Sequence, residues 1–131
     1  MLYTKCILHP KERLDGLRIS VMSRHTLSDG VSIDPRITFT SFDEWYIDLA
    51  PPAALVGAYY KKGLPWDAFA EAYLAYLRQP SLLFAVEDLA RRAFREDITL
   101  LCIEENAAQC HRGLLAQECQ WYVPQLDIMH R

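Results

Sequence analysis

The stretch Asp97-Ile98-Thr99-Leu100-Leu101-Cys102-Ile103 decides the fold. It is a short, nearly continuous apolar run with β-branched residues, which is typical of a strand buried on both faces. Strands of this kind occur mainly in parallel sheets that helices cover. We therefore expect a buried strand over residues 98–103, a turn over residues 104–109, and a last helix from about Cys110 to Tyr122.

The rest of the chain supplies further strands and several helices around this run. Alternating or apolar patterns predict strands over residues 2–8, 17–22 and 37–40, and turn dipeptides predict a loop over residues 23–36. Helical spacing and capping residues predict helices from Phe42 to Pro51, from Pro52 to Tyr60, from Trp66 to Leu77, and after Ser81. In the helix after Ser81 the predicted buried stripe is Leu82, Val86, Leu89, Ala93 and Phe94.

This order of elements predicts one α/β domain over residues 1–131, with a small parallel sheet and helices packed on it. Hydrophobic residues make up 51% of the chain and charged residues 24%, which excludes a disordered chain. The net charge of -3 gives no global basic field that would attract nucleic acid or acidic membranes. No segment has the ~20 apolar residues of a membrane helix, and we expect a cytoplasmic protein.

The four cysteines include no Cys-x-x-Cys pair, so we expect free thiols and neither a structural zinc site nor a cofactor. Two of them, Cys102 and Cys110, flank the predicted turn. In open α/β sheets ligands bind at the carboxyl ends of strands, where Cys102 and Glu104 lie. Cys110, His111 and Arg112 follow at the start of the last helix, whose N–H groups and dipole favour an anion and lower the pKa of a thiol.

These residues predict a site in which cysteine is the nucleophile, His111 the acid or base, Glu104 its partner and Arg112 an anion clamp. Each residue also has a structural interpretation. Cys102 could be a core residue, and His111 a capping or surface histidine. Arg112 could form a salt bridge with one of the glutamates that follow the strand.

A second group, Arg24 and His25, follows the predicted strand 17–22. If that strand lies parallel to the strand 98–103, both groups emerge at one edge, and Arg24 and His25 could complete an anion pocket. The alternative interpretation is an exposed loop.

Several known sites are excluded by spacing. A phosphatase-type loop has five residues between Cys and Arg, whereas Cys102 and Cys110 precede Arg112 by ten and two positions. The chain also lacks a Walker loop, a GxGxxG turn and an HExxH helix.

The segments Leu100-Leu101-Cys102-Ile103-Glu104 and Cys110-His111-Arg112, together with Trp66-Asp67-Ala68-Phe69, resemble the domain-of-unknown-function 488 family. The resemblance covers most of the chain. It implies a small cytoplasmic α/β protein whose shared polar residues fall here on Cys102, Glu104, Cys110, His111 and Arg112, with no assigned activity. Where members of the family often have Trp-Pro-Arg-Gly after the first strong strand, this chain has Thr26-Leu27-Ser28-Asp29.

Three functions are compatible with the sequence. The first is a thiol-dependent enzyme acting on a phosphorylated or nucleotide-like small molecule, through the residues above. The second is a module that binds a nucleotide or nucleic acid without chemistry, using Arg112, Arg24 and the basic residues near Arg91. The third is a zinc or iron site formed by Cys102, Cys110, His111 and Glu104, although this spacing matches no standard structural site.

Overall fold

The computed structural model describes residues 1–131 and contains one parallel sheet of five strands. The strands are β1 (Leu2–Cys6), β2 (Leu17–Ser20), β3 (Glu44–Trp45), β4 (Ile98–Cys102) and β5 (Ile128–His130), in the order β3-β2-β4-β1-β5. The helices are α1 (Ala53–Lys62), α2 (Trp66–Leu77), α3 (Pro80–Arg95) and α4 (His111–Tyr122). The predicted α/β class and parallel sheet are confirmed, and β4, which lies within the predicted strand 98–103, is the middle strand.

One face of the sheet carries the hydrophobic core. Leu2, Ile19, Ile98 and Leu100 lie here, and their side chains pack against the apolar sides of the helices. Helices α2, α3 and α4 contribute eleven further buried members, which are Phe69, Tyr73, Leu77, Leu82, Val86, Leu89, Ala90, Ala93, Leu115, Ala116 and Cys119; Val21, Leu49 and Leu126 complete the core. Removing this apolar surface from water stabilises the fold and fixes where α4 begins relative to β4.

The opposite face is polar and is covered by loops. Asp15 is fully buried, and its carboxylate accepts hydrogen bonds from Lys5 at 3.1 Å, from Arg18 at 2.7 Å and from Arg131 at 3.1 Å. Burial disfavours the charged carboxylate, but a backbone hydrogen bond and these cations lower its pKa below the ordinary value. A paired, hydrogen-bonded charge cluster thus replaces an apolar layer on this side of the sheet.

Two predicted elements are wrong. No helix follows Ser41, because Asp43 bonds twice to the backbone of Arg18 and draws the chain alongside β2 as the short strand β3. Residues 37–40 are not a strand, because hydroxyl groups in this segment hold its backbone N–H groups in local turns (Thr38 N to Ser41 Oγ, 3.0 Å).

Two smaller differences concern the helix α3 and the last strand. In α3, Phe94 is 56% exposed, since the buried stripe passes through its neighbour Ala93. Strand β5 has only three residues and its sequence shows no alternation, so the sequence alone did not predict it. None of the helices combines the length and apolar character needed to span a membrane.

Candidate active site

The end of β4 and the start of α4 bring two sulfur atoms and one imidazole together. Cys102 is the last residue of β4, and Cys110 precedes α4 with an extended backbone (φ -137°, ψ 142°). His111 Nδ1 lies 3.7 Å from Cys102 Sγ and 4.0 Å from Cys110 Sγ. We refer to Cys102, Cys110 and His111 as the sulfur–imidazole cluster.

A backbone carbonyl fixes the proton arrangement of His111. Its Nε2 lies 2.6 Å from the carbonyl oxygen of Val21, and a carbonyl can only accept, so Nε2 carries a hydrogen and donates it. The neutral ring therefore presents an unprotonated Nδ1 to the two thiols. Tyr73 packs edge-on against the ring, with the two ring centroids 5.6 Å apart. Val21 thus takes the orienting position that we expected for Glu104, whose side chain makes no hydrogen bond to His111.

The two thiols of the cluster differ in acidity. Burial opposes ionisation of Cys110, but the hydrogen bond from Cys102, the hydrogen bond and charge of His111 once Nδ1 has taken the thiol proton, and the charge of Arg112 hold its pKa well below the ordinary value. The pKa of Cys102 is well above the ordinary value, because its thiol bonds to Cys110 and because it is buried. Cys110 is therefore the thiolate of the pair, and Cys102 is the thiol that donates to it.

The cluster lies just below the surface, and Tyr60 and Glu104 lie at its margin. Cys102 is 3% exposed, Cys110 2% and His111 9%. The Tyr60 hydroxyl donates to the Glu104 carboxylate. Burial of the phenol, this hydrogen bond and the charges of Glu104 and of both cysteines raise the pKa of Tyr60 well above its ordinary value. Tyr60 belongs to α1, which contributes no buried residue and is the least anchored of the four helices.

Arg112 holds the loop between β4 and α4. Its guanidinium is fully buried and donates to the carbonyl oxygens of Glu104 at 2.5 Å and of Glu105 at 3.1 Å. These bonds fix the turn that carries Cys110. Arg112 Nε is the one buried side-chain nitrogen or oxygen atom without a hydrogen-bond partner in the molecule.

Arg24 and His25 do not join this site through any hydrogen bond or ion pair. Arg24 donates to the carbonyl oxygen of Gly30 in its own exposed loop, at 2.9 Å. His25 Nε2 lies 2.7 Å from Ser20 Oγ, and the ring packs against Trp45 with centroids 4.3 Å apart. Burial lowers the pKa of His25. These contacts give no support to an anion pocket formed with Arg112.

The donor atoms of the cluster could also hold a metal ion, since all three lie within 4.8 Å of one another. Two thiolates and one imidazole are ligands that suit zinc, and three ligands leave one tetrahedral position open. Glu104 is not among the atoms in reach. A second group with the same spacing, Cys6, His9 and Glu105, lies on the neighbouring strand end.

A cleft is lined in part by residues of the loop that Arg112 holds. Its volume is about 570 Å³, and Glu105, Gly113, His130 and Arg131 are among the residues that line it. No side chain of the sulfur–imidazole cluster lines this cleft.

Sequence reasoning placed Tyr60 and Tyr73 only among aromatic residues that could line a cleft for a flat ligand, and it missed the Val21 carbonyl. Tyr60 and Tyr73 fit the apolar spacing of their helices, which gives no sign that they approach a cysteine. The Val21 carbonyl is a backbone group, and only the position of β2 beside β4 brings it to His111.

The comparisons with known proteins agree with the resemblance seen in the sequence. No curated protein and no solved structure matches the chain. The family model of DUF488-N3a, described as the active DUF488-N3 subclade, matches residues 2–121 and so includes every residue of the cluster. The chain belongs to the DUF488-N3a family.

Proposed function

We propose that the protein is a thiol-dependent enzyme in which Cys110 attacks an electrophilic small molecule. The observation that carries this proposal is the position of His111 Nδ1, 4.0 Å from Cys110 Sγ and 3.7 Å from Cys102 Sγ, with Nε2 tied to a carbonyl. A nucleophile beside a base that a third group orients is the usual arrangement in covalent catalysis. The description of the family's subclade as active agrees with it.

Each member of the cluster has a separate task in this proposal. His111 Nδ1 takes the proton of Cys110 and returns it to the leaving group. The Cys102 thiol donates a hydrogen bond to the Cys110 thiolate, and the Val21 carbonyl keeps the imidazole in one tautomer. The start of α4 adds the positive end of its dipole next to Cys110.

The structure gives less support to phosphate and nucleic-acid ligands than the sequence does. Arg112 spends its two terminal nitrogens on loop carbonyls, so it gives little support to a phosphate clamp. The basic residues of α3 are paired as well, Arg91 with Glu87 and Arg92 with Glu44, which does not favour a nucleic-acid surface. We therefore propose an enzyme that acts on a small electrophile.

Competitive alkylation tests this proposal. Limiting iodoacetamide is added to the native protein at neutral pH, and the labelled cysteine is identified by peptide mass spectrometry. We expect label on Cys110 first and on Cys119 last, because burial raises the pKa of Cys119 to about 12. His111→Gln should abolish the preference for Cys110 over Cys119. Cys119→Ser should leave the rate of labelling at Cys110 unchanged. Equal labelling of Cys110 and Cys119 in the wild-type protein would contradict the proposal.

A further inference from the structure

The proposed function leaves Cys102 with only a supporting task, although it is a second buried thiol on the same imidazole nitrogen. The two sulfur atoms lie within 4.8 Å of each other, and Nδ1 is slightly closer to Cys102 than to Cys110. His111 can therefore deprotonate either thiol. Such a pair can form a disulfide if one of its members can move by a small distance.

The backbone around the pair allows this movement. Cys102 is held in the central strand, between β1 and β2. Cys110 lies outside the helix, at the end of a loop with exposed residues at 105, 106, 108 and 109. Cys110 can therefore approach Cys102 only by a shift of the loop that Arg112 holds, while Cys102 stays fixed in the sheet.

The surroundings of the pair restrict what can react there. Ile7, Met22 and Ile37 form a small apolar cluster with both cysteines. An apolar pocket of this kind admits a small, uncharged electrophile more readily than an ion. The buried Arg112, two residues after Cys110, has an Nε–H without an acceptor.

We propose that the substrate of this centre is a small hydroperoxide, with Cys110 as the attacking thiolate and Cys102 as the resolving thiol. The inference rests on the proposed function, because it uses the same nucleophile. It adds the substrate class and a chemical role for the second sulfur.

The reaction balances in two steps. Cys110 sulfur attacks the terminal peroxide oxygen; the S–O bond forms, the O–O bond breaks, and the leaving alkoxide takes the proton from His111 Nδ1. Cys102 then gives its proton to Nδ1 and attacks the Cys110 sulfur; the S–S bond forms, and the hydroxide leaves as water with that proton. The hydroperoxide gains two electrons and the cysteine pair loses two. A dithiol must restore both thiols by exchange and is itself oxidised to a disulfide.

Stoichiometric hydrogen peroxide, added to the reduced protein under anaerobic conditions, tests the inference. Peptide mass spectrometry should show a Cys102–Cys110 disulfide that forms about 100-fold faster than any oxidation of Cys119. Cys102→Ser should stop at a Cys110 sulfenic acid that dimedone traps, and Cys110→Ser should form neither product. Cys119→Ser is the matched control and should behave as the wild-type protein. With dithiothreitol present, the wild-type protein and this control should consume peroxide repeatedly, and Cys110→Ser should not, because it lacks the attacking sulfur.

Two results would overturn the inference. One is oxidation of Cys110 no faster than that of Cys119, and the other is a Cys110 sulfenic acid that Cys102 does not resolve. If Cys110 is still alkylated first in that case, the proposed thiol enzyme stands and only the hydroperoxide is rejected. If the preference in alkylation is lost too, both fail.

Discussion

Gly113 provides a quantitative test of how the site is built, because its position depends on close contact with the loop that carries Cys110. A Cβ at Gly113 would lie 2.5 Å from the carbonyl oxygen of Ala107, and ordinary contact begins at 3.4 Å. The Ala107 carbonyl also accepts the backbone N–H of Cys110 at 3.2 Å. In Gly113→Ala the loop must therefore move by about 0.9 Å, which displaces the backbone of Cys110.

Overpacking of this kind costs about 1–3 kcal/mol of the free energy of unfolding. Gly57→Ala is a matched control: it lies in α1 with nothing within 4 Å of its Cβ, so it should be stabilising by about 0.5–1 kcal/mol. Urea denaturation gives both values, and iodoacetamide labelling reports the placement of Cys110. A displacement near 1 Å lowers a rate that depends on geometry by about 100-fold. If both variants are equally stable and Gly113→Ala keeps the labelling preference, our description of the loop is wrong.

Four further predictions concern other parts of the molecule. Asp15→Asn leaves buried cations without their anion and should cost about 3 kcal/mol in urea denaturation. Because the folded-state pKa of Asp15 lies below the ordinary value of 3.8, the stability that its carboxylate contributes is present above pH 3.8 and is lost as the pH falls through the lower value. Acid titration followed by circular dichroism should show this loss of stability in the wild-type protein and not in the variant. Tyr60→Phe loses the hydrogen bond to Glu104, which is worth about 1 kcal/mol. Because this loosens α1, alkylation of Cys110 should become about fivefold faster. An unchanged rate would show that Tyr60 does not restrict access to Cys110. Arg112→Lys cannot reach both loop carbonyls and should lose about 2 kcal/mol in thermal or urea unfolding, whereas an unchanged stability would show that the loop is held otherwise.

The sequence predicts the parts of the fold that depend on local pattern. The apolar run 98–103 and the helical spacing of residues 66–77 each dominate their segments, and both elements are found where expected. The helix that the capping pattern predicts after Ser41 does not form, because the long-range hydrogen bonds between Asp43 and Arg18 outweigh the local preference for a helix. Strand β5 is held by its pairing with β1, which no property of residues 128–130 reveals.

The same distinction applies to the site. Cys102, Cys110 and His111 were predicted to meet, because a strand end and a helix start joined by a short turn place them at one sheet edge. The partners of these residues were not predictable from spacing. The buried guanidinium of Arg112 needs hydrogen-bond acceptors, because an unpaired buried charge is costly, and the carbonyl oxygens of the loop provide them. The proximity of Tyr60 depends on how α1 packs, a long-range property of the fold.

The most direct test of the central claim is the ultraviolet absorbance of thiolate, followed as a function of pH in the wild-type protein and in Cys110→Ser. The difference between these two titrations, taken in a Cys102→Ser background, isolates Cys110, because the two thiols of the wild-type pair titrate together. Our account predicts that this difference shows a thiolate already formed well below the ordinary thiol pKa of ~8.5, and that His111→Gln moves its formation to higher pH. A difference curve that titrates at or above the ordinary thiol value would show that Cys110 is a buried thiol and would contradict the account.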